Sequence, residues 1–181
     1  MSRAALAERD ARSARMFVVR LLLFLLVLEW AYYWPFPAGN IRDAAIDATL
    51  RGYAHAVSFV LRMLGTENAS VSNTVVGEEV IRVTRECDAF QCKAAFLAAT
   101  LAYPTSWRRR LWILLIGLAG LTALNLLRIV TLYYVKLSWP SMFELMHYQI
   151  GQWLLIAATI LLFVICVKDV RSQRTAAVDP S

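Results

Sequence analysis

The sequence has little charge and few of the residues that build metal sites or disulfide scaffolds. Only 18% of its 181 residues are Asp, Glu, Lys or Arg, and it contains three cysteines and two histidines. Three scattered cysteines are too few for a disulfide framework, and no pair has metal-ligand spacing with partner histidines. No P-loop, dinucleotide fingerprint, serine nucleophile elbow or zinc-peptidase motif is present. Metal and nucleotide chemistry are therefore disfavoured, and no cofactor or bound metal is expected.

The sequence is instead rich in hydrophobic residues, which make up 59% of the chain. This balance is typical of membrane proteins rather than soluble domains of this size. Four segments are apolar enough to cross a bilayer: residues 16–34, 89–103, 111–135 and 150–167. The second is short, because a rise of about 1.5 Å per residue gives it a reach of roughly 20 Å. Aromatic rather than small residues follow the first segment, which predicts an uncleaved anchor.

Basic residues predict the orientation of these segments. The formal net charge is +6, and the cations gather beside the apolar runs rather than in a nucleic-acid-binding patch. Lys and Arg collect in cytoplasmic loops, and "SWRRR" separates the second segment from the third. Four crossings place all basic clusters on that side. We therefore predict one domain over residues 1–181, with residues 1–15 and 168–181 cytoplasmic and residues 35–86 extracytoplasmic. The terminal clusters contain Arg3, Arg9, Arg12 and Arg15, and Lys168, Arg171 and Arg174.

The extracytoplasmic region contains two predicted elements. Residues 44–64 are apolar on one face but carry Asp47, Arg51 and Arg62, which would be costly in hydrocarbon. They predict an amphipathic helix that lies on, or dips into, the outer leaflet. The next stretch, "ASVSNTVVGEEVIRVTRE", mixes valines with polar residues around Gly77 and predicts a small β-hairpin. The expected fold is an all-α polytopic membrane protein with about four transmembrane helices and these two outer elements.

Three reactive residue types fall at one depth in this topology. Cys87 precedes the second segment, Arg128 comes late in the outward-running third, and His147 stands at the outer entrance of the fourth. A cysteine nucleophile needs a thiolate, a nearby imidazole to accept its proton and a cation to stabilise the oxyanion. Arg cannot act as the base, so His147 is the better candidate for the proton carrier. His55, in the extracytoplasmic region, is a second candidate without a neighbouring motif. The coincidence of depth predicts a site at the outer rim of the membrane.

Each of these residues also has a structural interpretation. Cys87 could be a small buried hydrophobe, and His147 could be an ordinary interfacial histidine. Arg128 could snorkel outward or form a structural clamp with Glu86, Asp88 or Glu144. These alternatives correspond to a non-enzymatic membrane assembly factor with a structural Arg/His network. A transporter or channel subunit is less favoured, because the polar residues gather near one face of the membrane and do not line a path across it.

The remaining candidates have weaker support. Asn125 lies three residues before Arg128 on the same helical face, where it could orient the guanidinium or pack against another helix. Cys92 is five residues beyond Cys87 and points to a different face of the predicted helix. Cys166 lies at the inner end of the fourth segment. Neither cysteine is therefore the preferred nucleophile.

Three stretches together resemble a known family. They are "ECDAFQCKAAFLAATLAYPTSWRRRLWILLIGL", "LNLLRIVTLYY" and "FELMHYQIGQW", in that order. The sequence resembles the exosortases and archaeosortases, membrane-embedded cysteine transpeptidases that process C-terminal sorting signals, and its length is most similar to the compact exosortase H type. The resemblance implies that Cys87 is the nucleophile, Arg128 the essential arginine and His147 the third catalytic position. Where the family often has Ser or Thr and then Gly after the cysteine, this chain has Asp88 and Ala89.

The resemblance also implies the substrate and the location. Substrates would be exported proteins with a C-terminal recognition motif, a transmembrane helix and a basic cluster, and no nucleic acid would be involved. Cleavage would occur at the periplasmic face of a bacterial inner membrane, through a thioester on Cys87 that passes to an acceptor amine or water. We further expect Glu86 and Asp88 to support the site by pairing with Arg128 in the resting enzyme.

Overall fold

A computed structural model describes residues 3–37 and 39–178, with side chains for residues 8, 11–37 and 39–168. This part of the chain forms five α-helices and one small sheet, joined by short turns. The helices are α1 Arg3–Tyr33, α2 Ile41–Met63, α3 Phe90–Ala102, α4 Trp107–Ser138 and α5 Gly151–Val178. The strands are β1 Ala69–Val71, β2 Thr74–Val76 and β3 Val80–Arg82. Two 3₁₀ turns, Arg85–Cys87 and Pro140–Met142, and a π-helical segment, Leu145–Ile150, complete it.

Three helical stretches are long and apolar enough to cross a membrane. They are Ala11–Tyr33, Trp107–Ser138 and Pro140–Lys168, and they confirm three of the four predicted segments. The remaining segment forms α3, an apolar helix of 13 residues that reaches about 20 Å. α3 packs against α1, α4 and α5, so it lies among the three candidate spans. The side chains of Arg3, Arg9, Arg171 and Arg174, on which the orientation argument partly depended, fall outside the described residues.

Helix α2 is the predicted amphipathic helix. Asn40 caps it by accepting a hydrogen bond from the Asp43 backbone N–H at 3.0 Å. Its buried positions recur at helical spacing, from Ile46 and Leu50 to Val57 and Leu61. This face packs against α4 and the sheet. The apolar face predicted to contact the outer leaflet is therefore covered largely by the protein itself.

The predicted β-hairpin is instead a three-stranded antiparallel sheet in the order β1-β2-β3. The prediction is wrong by one strand, because the "GEE" stretch forms a second turn after which Val80–Arg82 pairs with β2. Asn73 extends this pairing: its carbonyl accepts from the Val83 N–H at 2.8 Å, and its amide donates to the Val83 carbonyl at 2.9 Å. The sheet is attached to the C-terminal end of α4, where Lys136 donates to the Val80 carbonyl at 2.7 Å.

The buried residues place Cys87 within the main core. One large cluster joins α2, the sheet and the C-terminal half of α4, and it includes Val57, Val75, Tyr133 and Cys87. A smaller cluster around Phe96 lies between α3, α4 and α5. The position of Cys87 in the first cluster means that the turn bearing it is fixed by packing against α2, the sheet and α4.

Candidate active site

Cys87 ends a 3₁₀ turn immediately before α3 and is 6% exposed. Its backbone N–H donates to the Thr84 carbonyl at 2.9 Å, and its Sγ lies 3.6 Å from Thr84 Oγ1. Asp88 lies two residues before α3, and its Oδ1 accepts from the N–H of Phe90, the first residue of that helix, at 2.7 Å. Ala89, between them, has a φ of 55°. The thiol is thus presented by a tight turn that enters a helix through a left-handed residue.

The left-handed conformation of Ala89 leads to a stability prediction. An L-residue with a Cβ pays about 1–2 kcal/mol in this region, whereas glycine does not. We expect Ala89→Gly to raise the free energy of unfolding by about 0.5–1 kcal/mol, since the strain relieved exceeds the extra entropy of an unfolded glycine. Thermal unfolding in detergent measures this effect. Ala98→Gly, inside α3, is the matched control and should be destabilising; equal destabilisation by both changes would contradict the prediction.

His147 lies in the π-helical segment Leu145–Ile150 and is 8% exposed. Its Nε2 is 3.4 Å from Cys87 Sγ, which is within hydrogen-bonding distance for sulfur. The Gly151 N–H bonds to the Met146 carbonyl, five residues back, rather than to the His147 carbonyl four residues back. The His147 carbonyl accepts a hydrogen bond from Arg128 Nη2, and not from the Gly151 N–H.

Helix α4 contacts both partners of this pair. Arg128 Nη2 donates to the His147 carbonyl at 2.7 Å, and Asn125 Nδ2 donates to the Cys87 carbonyl at 2.6 Å. Asn125 is fully buried, and this hydrogen bond joins α4 to the cysteine turn. Of the two roles that the sequence left open, the structure shows this contact with a neighbouring element. Arg128 Nε and Nη1 are buried without a hydrogen-bond partner. Two donors of a fixed cation thus remain available beside Cys87 and His147.

The predicted pairing of Arg128 with Asp88 is not formed. Asp88 accepts hydrogen bonds from the Tyr32 hydroxyl and the Phe90 N–H, and Lys93 Nζ donates to the Asp88 carbonyl at 2.8 Å. The Tyr32 ring also stacks on Phe90, with the centroids 3.8 Å apart. No sequence pattern indicated this role for Tyr32, which lies within the first predicted membrane segment, residues 16–34. A buried carboxylate one residue from the thiol is thus satisfied by α1 and α3 rather than by α4.

A polar cavity of about 320 Å³ opens beside His147 and Arg128. Glu86 lines it and is exposed, and the structure shows no ion pair between Glu86 and Arg128. Cys87 does not line the cavity. Its sulfur contacts His147, and His147 is one of the lining residues. The cavity mixes charged, amide and aromatic groups, a combination that suits a peptide. Its other lining residues include Tyr33, Arg85, Gln91, Tyr148 and Gln152.

Arg85, at the rim of this cavity, forms an ion pair with Asp43 in α2. Its Nη2 lies 3.2 Å from Asp43 Oδ1, which also bonds to Arg42 at 2.8 Å. The hydrogen bond from Arg42 holds the pKa of the Asp43 carboxyl below its usual value. Asp43 is therefore charged at neutral pH and orients Arg85 at the rim.

The other cysteines belong to other clusters of buried residues, although Cys92 is near enough to Arg128 to interact with its charge. Cys92 is buried in a separate small cluster with Ala89 and Leu155, and Cys166 packs against the cluster around Phe96. Among the described side chains, those of residues 8, 11–37 and 39–168, no group of three or more His, Cys, Asp or Glu could hold a metal ion.

Comparison with known proteins identifies a family. A family model described as transmembrane exosortase, of the EpsH type, matches residues 13–165, which include Cys87, Arg128 and His147. No curated protein and no solved structure matches the chain.

Proposed function

The chain belongs to the transmembrane exosortase family, and from this we propose that it is a cysteine peptidase or transpeptidase that cleaves the C-terminal sorting signals of exported proteins. One observation carries the proposal: Cys87 Sγ lies 3.4 Å from His147 Nε2, and Arg128 is bonded to the carbonyl of the same histidine. A thiol, a proton acceptor and a fixed cation thus meet at one point, as acyl transfer through a cysteine requires.

The proposed reaction has two halves. His147 takes the thiol proton, and the Cys87 sulfur attacks the scissile carbonyl of the substrate. The two unpartnered donors of Arg128 stabilise the negative charge on the carbonyl oxygen. His147 returns the proton to the leaving amine, which leaves the substrate as a thioester on Cys87. An acceptor amine or water then attacks the thioester, and the thiol is restored when the sulfur departs and takes up a proton.

We place this site at the periplasmic face of a bacterial inner membrane. In this topology α3 makes a fourth, short crossing, so that both termini and "SWRRR" are cytoplasmic. The packing of α3 among the three candidate spans supports this arrangement, as does the position of Arg108, Arg109 and Arg110 at the start of α4. The sheet and the Cys87 turn then lie together at the outer surface.

The proposed substrates carry a recognition motif, an apolar transmembrane helix and a terminal basic cluster. Such a helix holds the scissile peptide at a fixed depth and confines it to two dimensions. Confinement raises the effective concentration of the peptide at Cys87, so a small enzyme does not need to bind a soluble chain tightly.

One observation favours a second candidate, a non-enzymatic assembly factor. Cys87 and His147 are both less than a tenth exposed, and Asn125 and Arg128 bond to backbone carbonyls, as members of a structural polar network would. The two candidates differ in covalent chemistry, because only the enzyme forms an acyl bond to sulfur.

The test is to trap the thioester. Substrates are first identified as exported, tail-anchored proteins that become shorter when the chain is expressed. A hydroxylamine-labile adduct between such a substrate and the chain should then form, and peptide mapping should place it on Cys87. A chain with both Cys92→Ala and Cys166→Ala should form the same adduct. Substrate shortening without any adduct on Cys87 would refute the proposed nucleophile, and absence of any shortened protein would favour the assembly role.

Gly151→Ala should slow substrate processing because it displaces the Arg128 side chain. A Cβ at this position would lie 2.7 Å from Arg128 Nε and 2.8 Å from the Met146 carbonyl. The helix backbone cannot yield easily, so the guanidinium must move. A misplaced group commonly costs about 100-fold in rate, and we expect a loss of at least about tenfold, with normal membrane insertion.

Gly120→Ala is the control for this change. Its new Cβ would meet the nearest Leu162 methyl at 3.6 Å, an ordinary packing distance, so processing should stay near the wild-type rate. Initial rates of substrate shortening, normalised to the amount of chain in the membrane, compare the two variants. Equal rates for both would show that the position of Arg128 does not limit the reaction.

A further inference from the structure

A second cavity, of about 350 Å³, lies between α4 and α5 and is largely apolar. We call it the α4–α5 groove. Its walls include Leu124, Leu127, Ile150, Leu154, Leu155 and Ala158, and its charged lining residue is Arg128.

The α4–α5 groove opens towards the hydrocarbon of the bilayer. Both of its walls belong to candidate membrane spans, Trp107–Ser138 and Pro140–Lys168. Leu127 is 62% exposed and Leu154 is 64% exposed, so no other part of the described chain covers them. A polar ligand would not reach this surface through lipid. Its occupant must therefore be an apolar chain that already lies in the membrane.

The groove is continuous with the candidate active site through Arg128. This residue lines both the polar cavity and the α4–α5 groove. Gly151, which also lines the groove, packs directly against the Arg128 side chain. From Ala158 to Met146 the groove extends for about 18 Å along α5 and the π-helical segment, and Arg128 lies part-way along it. An apolar segment in the groove would therefore reach the Arg128 guanidinium, beside Cys87 and His147.

We infer that the α4–α5 groove seats the transmembrane helix of the substrate, an inference that rests on the function proposed above. The exported part of the substrate is outside, so its helix would run parallel to α5 and antiparallel to α4. Gly151 and Ala158, seven residues apart on one face of α5, let a partner helix approach closely. The peptide that precedes the helix would pass Arg128, whose buried Nε and Nη1 can donate to its carbonyls. A lipid acyl chain has no such peptide groups.

Filling the groove tests the inference. Leu127→Trp and Leu154→Trp place bulk in it, and we expect each to slow processing by about tenfold or more, because a displaced helix misaligns the scissile bond. Leu115→Trp and Ile165→Trp are matched controls, exposed on the same helices but outside the groove. Both controls should stay within about twofold of the wild-type rate. Equal rates for groove and control variants would overturn the inference.

A cross-linking experiment separates this inference from the proposed chemistry. A photoreactive amino acid is placed at Leu154 or at Ile165 in the Cys87→Ala chain, together with the full-length precursor of the substrate. A cross-link from position 154 to the apolar C-terminal segment of the precursor, and none from position 165, supports the groove. Cross-links only to lipid or to a second copy of the chain would refute it. The experiment needs no turnover, so it tests the groove even if Cys87 forms no thioester.

Discussion

Cys87→Ala should reduce substrate processing to the level of membranes that lack the chain, while the amount of inserted protein stays the same. The alanine has no group that can form a thioester, so neither half of the reaction can proceed. Folding should be preserved, because Asn125 bonds to the backbone carbonyl of residue 87 and not to its sulfur. The measurement is the ratio of shortened to full-length substrate in membranes with matched amounts of wild-type and variant chain.

Cys92→Ala is the matched control for this experiment. Cys92 is 4% exposed and five residues further along the chain, so it resembles Cys87 in burial but packs in a separate cluster. We expect its variant to process substrate at nearly the wild-type rate. Processing that persists in Cys87→Ala and disappears in Cys92→Ala would show that the nucleophile is Cys92 and not Cys87.

Arg128→Lys should lower the processing rate by about 10²–10³-fold, the cost typical of losing an oxyanion donor. The change keeps the positive charge but replaces a planar group having five donors with a single ammonium. Arg128 uses Nη2 to hold the His147 carbonyl, while Nε and Nη1 stay available for substrate. A lysine cannot fill all of these positions at once. Single-turnover rates with a fixed excess of chain over substrate measure the loss.

Arg110→Lys provides the control on the same helix. Arg110 is partly buried and lies near the N-terminal end of α4. It donates to the Tyr103 carbonyl at 3.2 Å, and its guanidinium lies over the Trp107 ring. Its replacement by lysine should leave the rate near that of the wild type. A similar loss in both variants would indicate a general effect of arginine on the stability of α4, and a normal rate in Arg128→Lys would exclude the oxyanion role.

The convergence of Cys87, Arg128 and His147 could be predicted from the sequence. Alternating topology and the distribution of basic residues gave the three segments a common depth, and resemblance to a known family selected the same residues. Depth alone does not bring side chains together, because it leaves the rotation of each helix undetermined. The 3.4 Å distance between Cys87 Sγ and His147 Nε2 depends on that rotation and is visible only in the structure.

Several local features could not be predicted because they depend on tertiary contacts. The π-helical segment shifts the hydrogen bonding around His147 by one residue, and periodicity arguments assume a regular α-helix. The partner of Asp88 is Tyr32, more than 50 residues earlier in the chain, so no local pattern connects them. The left-handed conformation of Ala89 could not be predicted from the sequence either, since alanine does not favour it.

The sheet attached to α4 has a mechanical consequence for the membrane-embedded half of the molecule. Lys136 joins the C-terminal end of α4 to Val80 and Glu79, and Gly77 brings the sheet turn against the Tyr133 hydroxyl. The N-terminal end of α5, in contrast, follows an irregular connection that ends in the π-helical segment. If α4 and α5 must separate to admit a third helix, α5 is therefore the one that moves, about the π-helical segment before it. Because His147 lies in that segment, a separation of the two helices would also move the imidazole relative to the Cys87 thiol.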